Sequence, residues 1–225
     1  MSQTGKVIIC GLNGIGSLGA VFSTKRRYLT HTIHDVLGLH FPDLPAHTFY
    51  DKGGPDPRPE RNMLSAVQAH SSPDNVLVLV GFSYGARDIV RDVLRPYGRW
   101  LKAETKLLQF NDIHQIRYKA IYVVVVDADW ITPRRENKVL RLPTVPGRIQ
   151  GAWNVYQNEP WARGGFLGGT KLVGGAACLD VTNSLVTGVP HREMDTSTAA
   201  VDALHAAFYA AESWFTEPKN RKRIN

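Results

Sequence analysis

Residues 76–86 read Val-Leu-Val-Leu-Val-Gly-Phe-Ser-Tyr-Gly-Ala. Five consecutive apolar, largely β-branched residues suit a strand buried on both faces, and the run ends in G-x-S-x-G. An amphipathic pattern follows at once, with Ala86, Ile89, Val90, Val93 and Leu94 on one stripe and Arg87, Asp88, Arg91 and Asp92 on the other. The order is therefore strand, one-serine turn, helix. A turn this tight holds its apex in a strained backbone conformation, which small flanking residues such as Gly81 and Gly85 permit. It lifts Ser83 clear of the sheet and aims the positive end of the following helix at it. Ser83 is thereby a candidate nucleophile.

The rest of the chain alternates strand and helix, as a mostly parallel sheet covered on both faces requires. Strands are expected at 6–10, 46–50, 76–80, 121–126 and 153–156, and helices at 61–70 and 86–97. Asn75 is read as closing the turn that launches the central strand. A loop rich in Pro and Arg follows residue 126, and residues 164–175 read as glycine-rich turns between short strands. The last helix carries Val201, Leu204, Phe208, Ala211 and Phe215 on one face, with Ser197 or Thr196 available as its cap. With 225 residues, 43% of them apolar and 21% charged, the chain has room for one well-buried domain. One domain over 1–217 is expected, with a basic tail at 218–225.

No apolar run approaches the ~18 residues of a membrane span, and nothing near the N-terminus has the pattern of a signal peptide. A cytoplasmic location is the default expectation. The formal net charge is +7, but the basic residues are scattered apart from Lys25-Arg26-Arg27 and the tail, so nucleic acid is not the expected partner. Cys10 and Cys178 read as two separate small apolar residues, and no His/Cys spacing suggests a metal site. Oligomeric state is not legible.

A serine hydroxyl needs a base to take its proton and a carboxylate to orient that base. In the order Ser, acid, His, three positions qualify. Ser83 follows the central strand, Asp127 or Asp129 ends the strand 121–126, and His191 follows Val189-Pro190 just before the last helix. Rigid placement at the strand end favours Asp127, with Asp129 the alternative and Glu159 the next candidate. His31, His34, His40, His47, His70, His114 and His205 read as surface or helix residues.

The loop after the first strand leaves a second reading open. Gly14-x-Gly16-x-x-Gly19 spells the dinucleotide fingerprint, although the acid that should follow about 20 residues on is missing. In a hydrolytic site the same loop has another role, with N–H groups near Leu12 and Asn13 joining that of Tyr84 around an oxyanion. A non-enzymatic interaction protein that keeps the elbow as a fold element is the third possibility.

With G-F-S-Y-G-A on the elbow, G-L-N-G after the first strand, V-V-V-V-D-A-D at the acid strand and V-P-H before the last helix, the chain resembles the small serine esterases and lipases of the α/β-hydrolase superfamily. The resemblance covers most of the chain. It implies an α/β-hydrolase fold without a large cap domain and cleavage of a small-molecule or lipid carboxylic ester through an acyl-enzyme, with no cofactor. Asp127 is similarly placed to the aspartate of the lipase pattern Leu-Asp-Pro-Ala, from which this chain departs at Ala128 and Asp129. Trp130, Trp153, Trp161 and Phe166 are candidates for lining an apolar groove above Ser83.

Overall fold

The computed structural model describes residues 5–13, 29–50, 59–107, 116–128, 139–145, 149–157, 171–174, 178 and 180–216. Strand β1 (Val7–Leu12) leads to helix α1 (Leu29–His40), β2 (Ala46–Tyr50), α2 (Pro59–Ala69) and the central strand β3 (Val76–Phe82). Helix α3 (Tyr84–Asp88) runs through a π-helical segment (Ile89–Leu94) into α4 (Arg95–Leu107). Then come β4 (Ala120–Val126), β5 (Val139–Arg141), β6 (Ile149–Gln157), β7 (Lys171–Val173), β8 (Val181–Val186), a 3-10 turn (His191–Thr196) and helix α5 (Thr198–Thr216).

Six strands form one parallel sheet in the order β2-β1-β3-β4-β6-β8, and β5 pairs with β7 in a small second sheet. β1, β3 and β4 are buried throughout, as their unbroken apolar runs demand when helices cover both faces. One core layer packs Leu77, Leu79, Val123 and Val125 under α2 and α4, through Met63, Val67 and Leu101. The opposite layer packs Val78, Val80, Val124 and Val126 under α1 and α5, through Ile33, Leu204 and Phe208. The expected α/β class, a parallel sheet between helices, is the fold observed.

The order reverses at β1. From β1 the chain moves outward to β2 over α1, then returns past it to β3 over α2, so β1 and β3 are neighbours whose following helices lie on opposite faces. In open α/β sheets ligands bind at this reversal, outside the carboxyl ends of the strands. The order differs from the 3-2-1-4-5-6 arrangement of dinucleotide-binding folds, in which the first strand lies between the second and the fourth. Gly14, Gly16 and Gly19 lie outside the described residues, as does the tail 218–225.

Local signals behave as their chemistry dictates. Asn75 donates through Nδ2 to His70 O and accepts from Lys6 N, tying the start of β3 to β1. Ser197 caps α5, its Oγ accepting from Ala200 N at 3.3 Å. Cys10 is buried in the core and Cys178 is partly exposed; both are free thiols. Among the described residues no helix is long and apolar enough to cross a membrane.

Candidate active site

Ser83 is the first residue after β3, at φ 57° and ψ −122°, with 5% of its surface exposed. Two glycines permit this. A Cβ on Gly81 would stand 2.5 Å from Ala86 Cα, and one on Gly85 would stand 2.6 Å from Asn13 O, with Leu12 O equally in its way. Both obstacles are backbone atoms that no rotamer change can move. The glycines thus let α3 close onto β3 and let the end of β1 close onto the elbow.

β4 lies beside β3, with Phe82 paired to Val126. Ser83 N donates to Val126 O at 2.9 Å, and Asp127 N donates to Val155 O at 2.6 Å, so each residue is pinned to the next strand as it leaves its own. Asp127 also has a positive φ, 44°, which turns its carboxyl group back over the sheet's edge. The imidazole comes from the far end of the chain. Pro190, at φ −61° and ψ 146°, delivers an extended segment into the 3-10 turn that His191 opens.

The three side chains meet. His191 Nε2 lies 2.9 Å from Ser83 Oγ, and His191 Nδ1 lies 2.6 Å from Asp127 Oδ2. With the carboxylate accepting from Nδ1–H, the tautomer is fixed and Nε2 presents its lone pair to the hydroxyl. The carboxyl group is nearly sealed from water at 4% exposure, whereas the imidazole is 23% exposed and open to a reactant. This arrangement can take a proton from a serine and return it to a leaving group.

Tyr84 begins α3, where helical N–H groups lack intrahelical acceptors and suit a developing anion. Leu12 and Asn13 do lie against the elbow. The atoms they turn toward Gly85, however, are carbonyl oxygens, which accept and cannot donate. Leu12 also remains within the ladder, paired with Gly81. Of the aromatic residues expected above Ser83, Trp130, Trp161 and Phe166 lie outside the described residues, as do Asp129 and Glu159.

Trp153 corrects an expectation. It sits in mid-β6, level with Val124, two pairs back from the strand end. Its ring leans toward Gly151 and lies 6.0 Å from the ring of Tyr122, whose hydroxyl receives a hydrogen bond from Trp214 Nε1 of α5 at 2.8 Å. It packs the sheet against α5 instead of lining a groove at the carboxyl edge.

No protein-family model matches the chain, and no curated protein matches it. Two solved structures are similar in outline. One is a cutinase-like protein from Cryptococcus sp., at 12% identity over 95% of this chain and 96% of that one, with a TM-score of 0.37. The other is an acetyl xylan esterase solved as an iodinated complex, at 11% identity over 92% of this chain and 98% of that one, also with a TM-score of 0.37. At such scores the likeness carries no weight for activity, and the chemistry has to be argued from the site itself.

Two contacts of the site were not foreseen. Phe82, the variable residue of the elbow, stacks on the His191 ring at 5.1 Å between centroids and 25° between planes. Gln157, the last residue of β6, donates from Nε2 to Asp127 Oδ2 at 2.6 Å. A signal for it existed: extending the 153–156 strand by one residue puts a polar side chain at the carboxyl edge, beside the acid strand.

Proposed function

We propose that the protein is a serine hydrolase that cleaves a carboxylic ester, with Ser83 as nucleophile, His191 as base and Asp127 as the orienting acid. The observation that carries this reading is the single imidazole bridging Ser83 Oγ and Asp127 Oδ2 at hydrogen-bond distance. A strained serine between two obligatory glycines, at the reversal point of a parallel sheet, supports it further.

Ser83 Oγ bonds to the acyl carbon while its proton passes to His191 Nε2, and the carbonyl electron pair moves onto oxygen. The Tyr84 N–H stabilises that oxyanion, with the backbone near Leu12 and Asn13 as the expected source of further donors. Collapse of the intermediate breaks the bond to the alcohol, which leaves with the proton from Nε2. Water then repeats the sequence on the acyl-enzyme, releasing the carboxylic acid and free Ser83. The cycle balances without a cofactor. A small-molecule or lipid ester is the proposed substrate, with Trp130, Trp161 and Phe166 the residues to examine for acyl-chain preference.

Hydrolysis of a series of p-nitrophenyl esters tests the reading. Ser83→Ala and His191→Ala should each lose turnover by orders of magnitude while the fold persists. Since Nε2 must be unprotonated to act, activity should be present at higher pH and fall on acidification through about 6–7, where histidines ordinarily titrate. Near-normal turnover in His191→Ala would assign the base elsewhere.

A further inference from the structure

Asp127 Oδ2 accepts two hydrogen bonds, one from His191 Nδ1 and one from Gln157 Nε2, both 2.6 Å long. We infer that Gln157 is a positioning residue of the site, which locks the rotation of the Asp127 carboxylate and sets how strongly that carboxylate draws the proton of His191. The inference rests on the reading of Ser83, His191 and Asp127 given above.

The placement of Gln157 depends on an irregularity in β6. Ile121 pairs with Ile149 but Tyr122 pairs with Gly151, so Gln150 is an extra residue in the strand. One extra residue reverses which face every later side chain takes. Beyond it, Trp153 and Val155 join the layer under α5, where Val124 and Val126 also lie. Gln157 continues that alternation and meets Asp127 at the sheet's edge. Without the bulge its side chain would be directed to the opposite face.

Its chemistry is one-sided. Gln157 is 1% exposed, and its Oε1 is buried with no hydrogen-bond partner among the described residues. Facing a carboxylate, the amide can present only its NH₂ group, since its oxygen would be repelled. An apolar residue of similar volume would avoid the unmatched oxygen, so fold stability gives this glutamine no advantage. What it supplies is a fixed donor to an acid that water barely reaches. Around the carboxylate stand His191 from the 3-10 turn, Gln157 from β6, and Ser83 and Phe82 from the end of β3. The same 3-10 turn carries the buried Asp195 and the exposed Glu193.

A hydrogen bond to the ionised form lowers a carboxylate's proton affinity. Removing the amide leaves the full charge to act on the imidazole, which then holds its proton more tightly. The acid limb of reactivity moves to higher pH. Replacing the amide with a second carboxylate moves it further, because like charges at this separation favour protonation nearby.

The experiment is the rate of fluorophosphonate labelling of the full chain against pH, read by intact mass, for wild type, Gln157→Leu and Gln157→Glu. The acid limb should rise in the order wild type, Leu, Glu, by roughly one pH unit or more in the last, which cuts labelling near neutrality about tenfold per unit. Limbs that coincide in all three proteins overturn the inference even if absolute rates fall, since a packing role would lower the rate without moving the limb. Thermal unfolding checks that the variants fold; should Gln157→Leu fail, the nearly isosteric Gln157→Glu decides alone. A wild-type chain that is never labelled is a different result, which overturns the reading of Ser83 and the inference with it.

Discussion

Ser83 and Asp127 are the two non-glycine residues, among those described, that hold a positive φ. Such conformations cost on the order of 1–3 kcal/mol each and persist only where the surroundings over-determine them. Here the surroundings are visible: each residue leaves a buried strand and is pinned by its N–H to the adjacent one. The G-x-S-x-G string made the first legible from the sequence. The second was legible only as an acid at a strand end, because no local pattern announces a turned aspartate. Asp127 is fixed at the strand end, whereas Asp129 lies outside the described residues. Asp127→Asn should therefore cost on the order of 10²–10⁴ in kcat, and Asp129→Asn little, in one ester assay. A large loss only in Asp129→Asn would reverse the assignment. Trp153 misled at this scale because an aromatic residue near a site has two uses, and only the register of β6 shows which applies.

Elements were legible where periodicity was clean. β1, β3 and β4 follow from their apolar runs, and the expected helix at 86–97 is the front of a longer one that reaches Leu107 through a π-helical segment. Two elements had no expectation. α1 buries Leu29, Thr32, Ile33 and Val36 at helical spacing, but its threonines, histidines and Gly38 dilute the pattern. β8 is an edge strand whose Val-Thr-Asn-Ser-Leu-Val alternates poorly because one side has no neighbour to satisfy. Nor could the extra residue in β6 be foreseen, since a bulge declares itself only in the pairing with β4. In α5 the buried face is Ala200, Ala203, Leu204, Ala207, Phe208 and Ala211, so the small alanines, not Val201 and Phe215, give the closest approach to the sheet. The helix start was legible because its cap is chemical. Ser197→Ala should lower unfolding stability by roughly 0.5–2 kcal/mol in denaturant titration, as loss of a cap does. No change would mean that the 3-10 turn holds the helix start without it.

For the molecule as a whole, the topology explains why residues so distant in sequence converge. The reversal at β1 makes β1 and β3 neighbours, β4 adds the acid beside the nucleophile, and α5 packs on the face from which the 3-10 turn brings His191. Each side chain arrives from a different loop on one edge of a rigid sheet, which holds the constellation still without any one loop having to be stiff. The fold and the three-residue order were legible from the chain because both follow from strand periodicity and chain order. The interior support from Gln157 and Phe82 was not, since it depends on pairings that only the assembled sheet defines. The central claim is that this edge activates one serine. Intact mass after a fluorophosphonate probe tests it without knowledge of the substrate: the account predicts a single adduct, mapped by peptide digestion to Ser83 and absent in Ser83→Ala. Folded wild-type protein that stays unmodified, or carries its adduct on another residue, would contradict it.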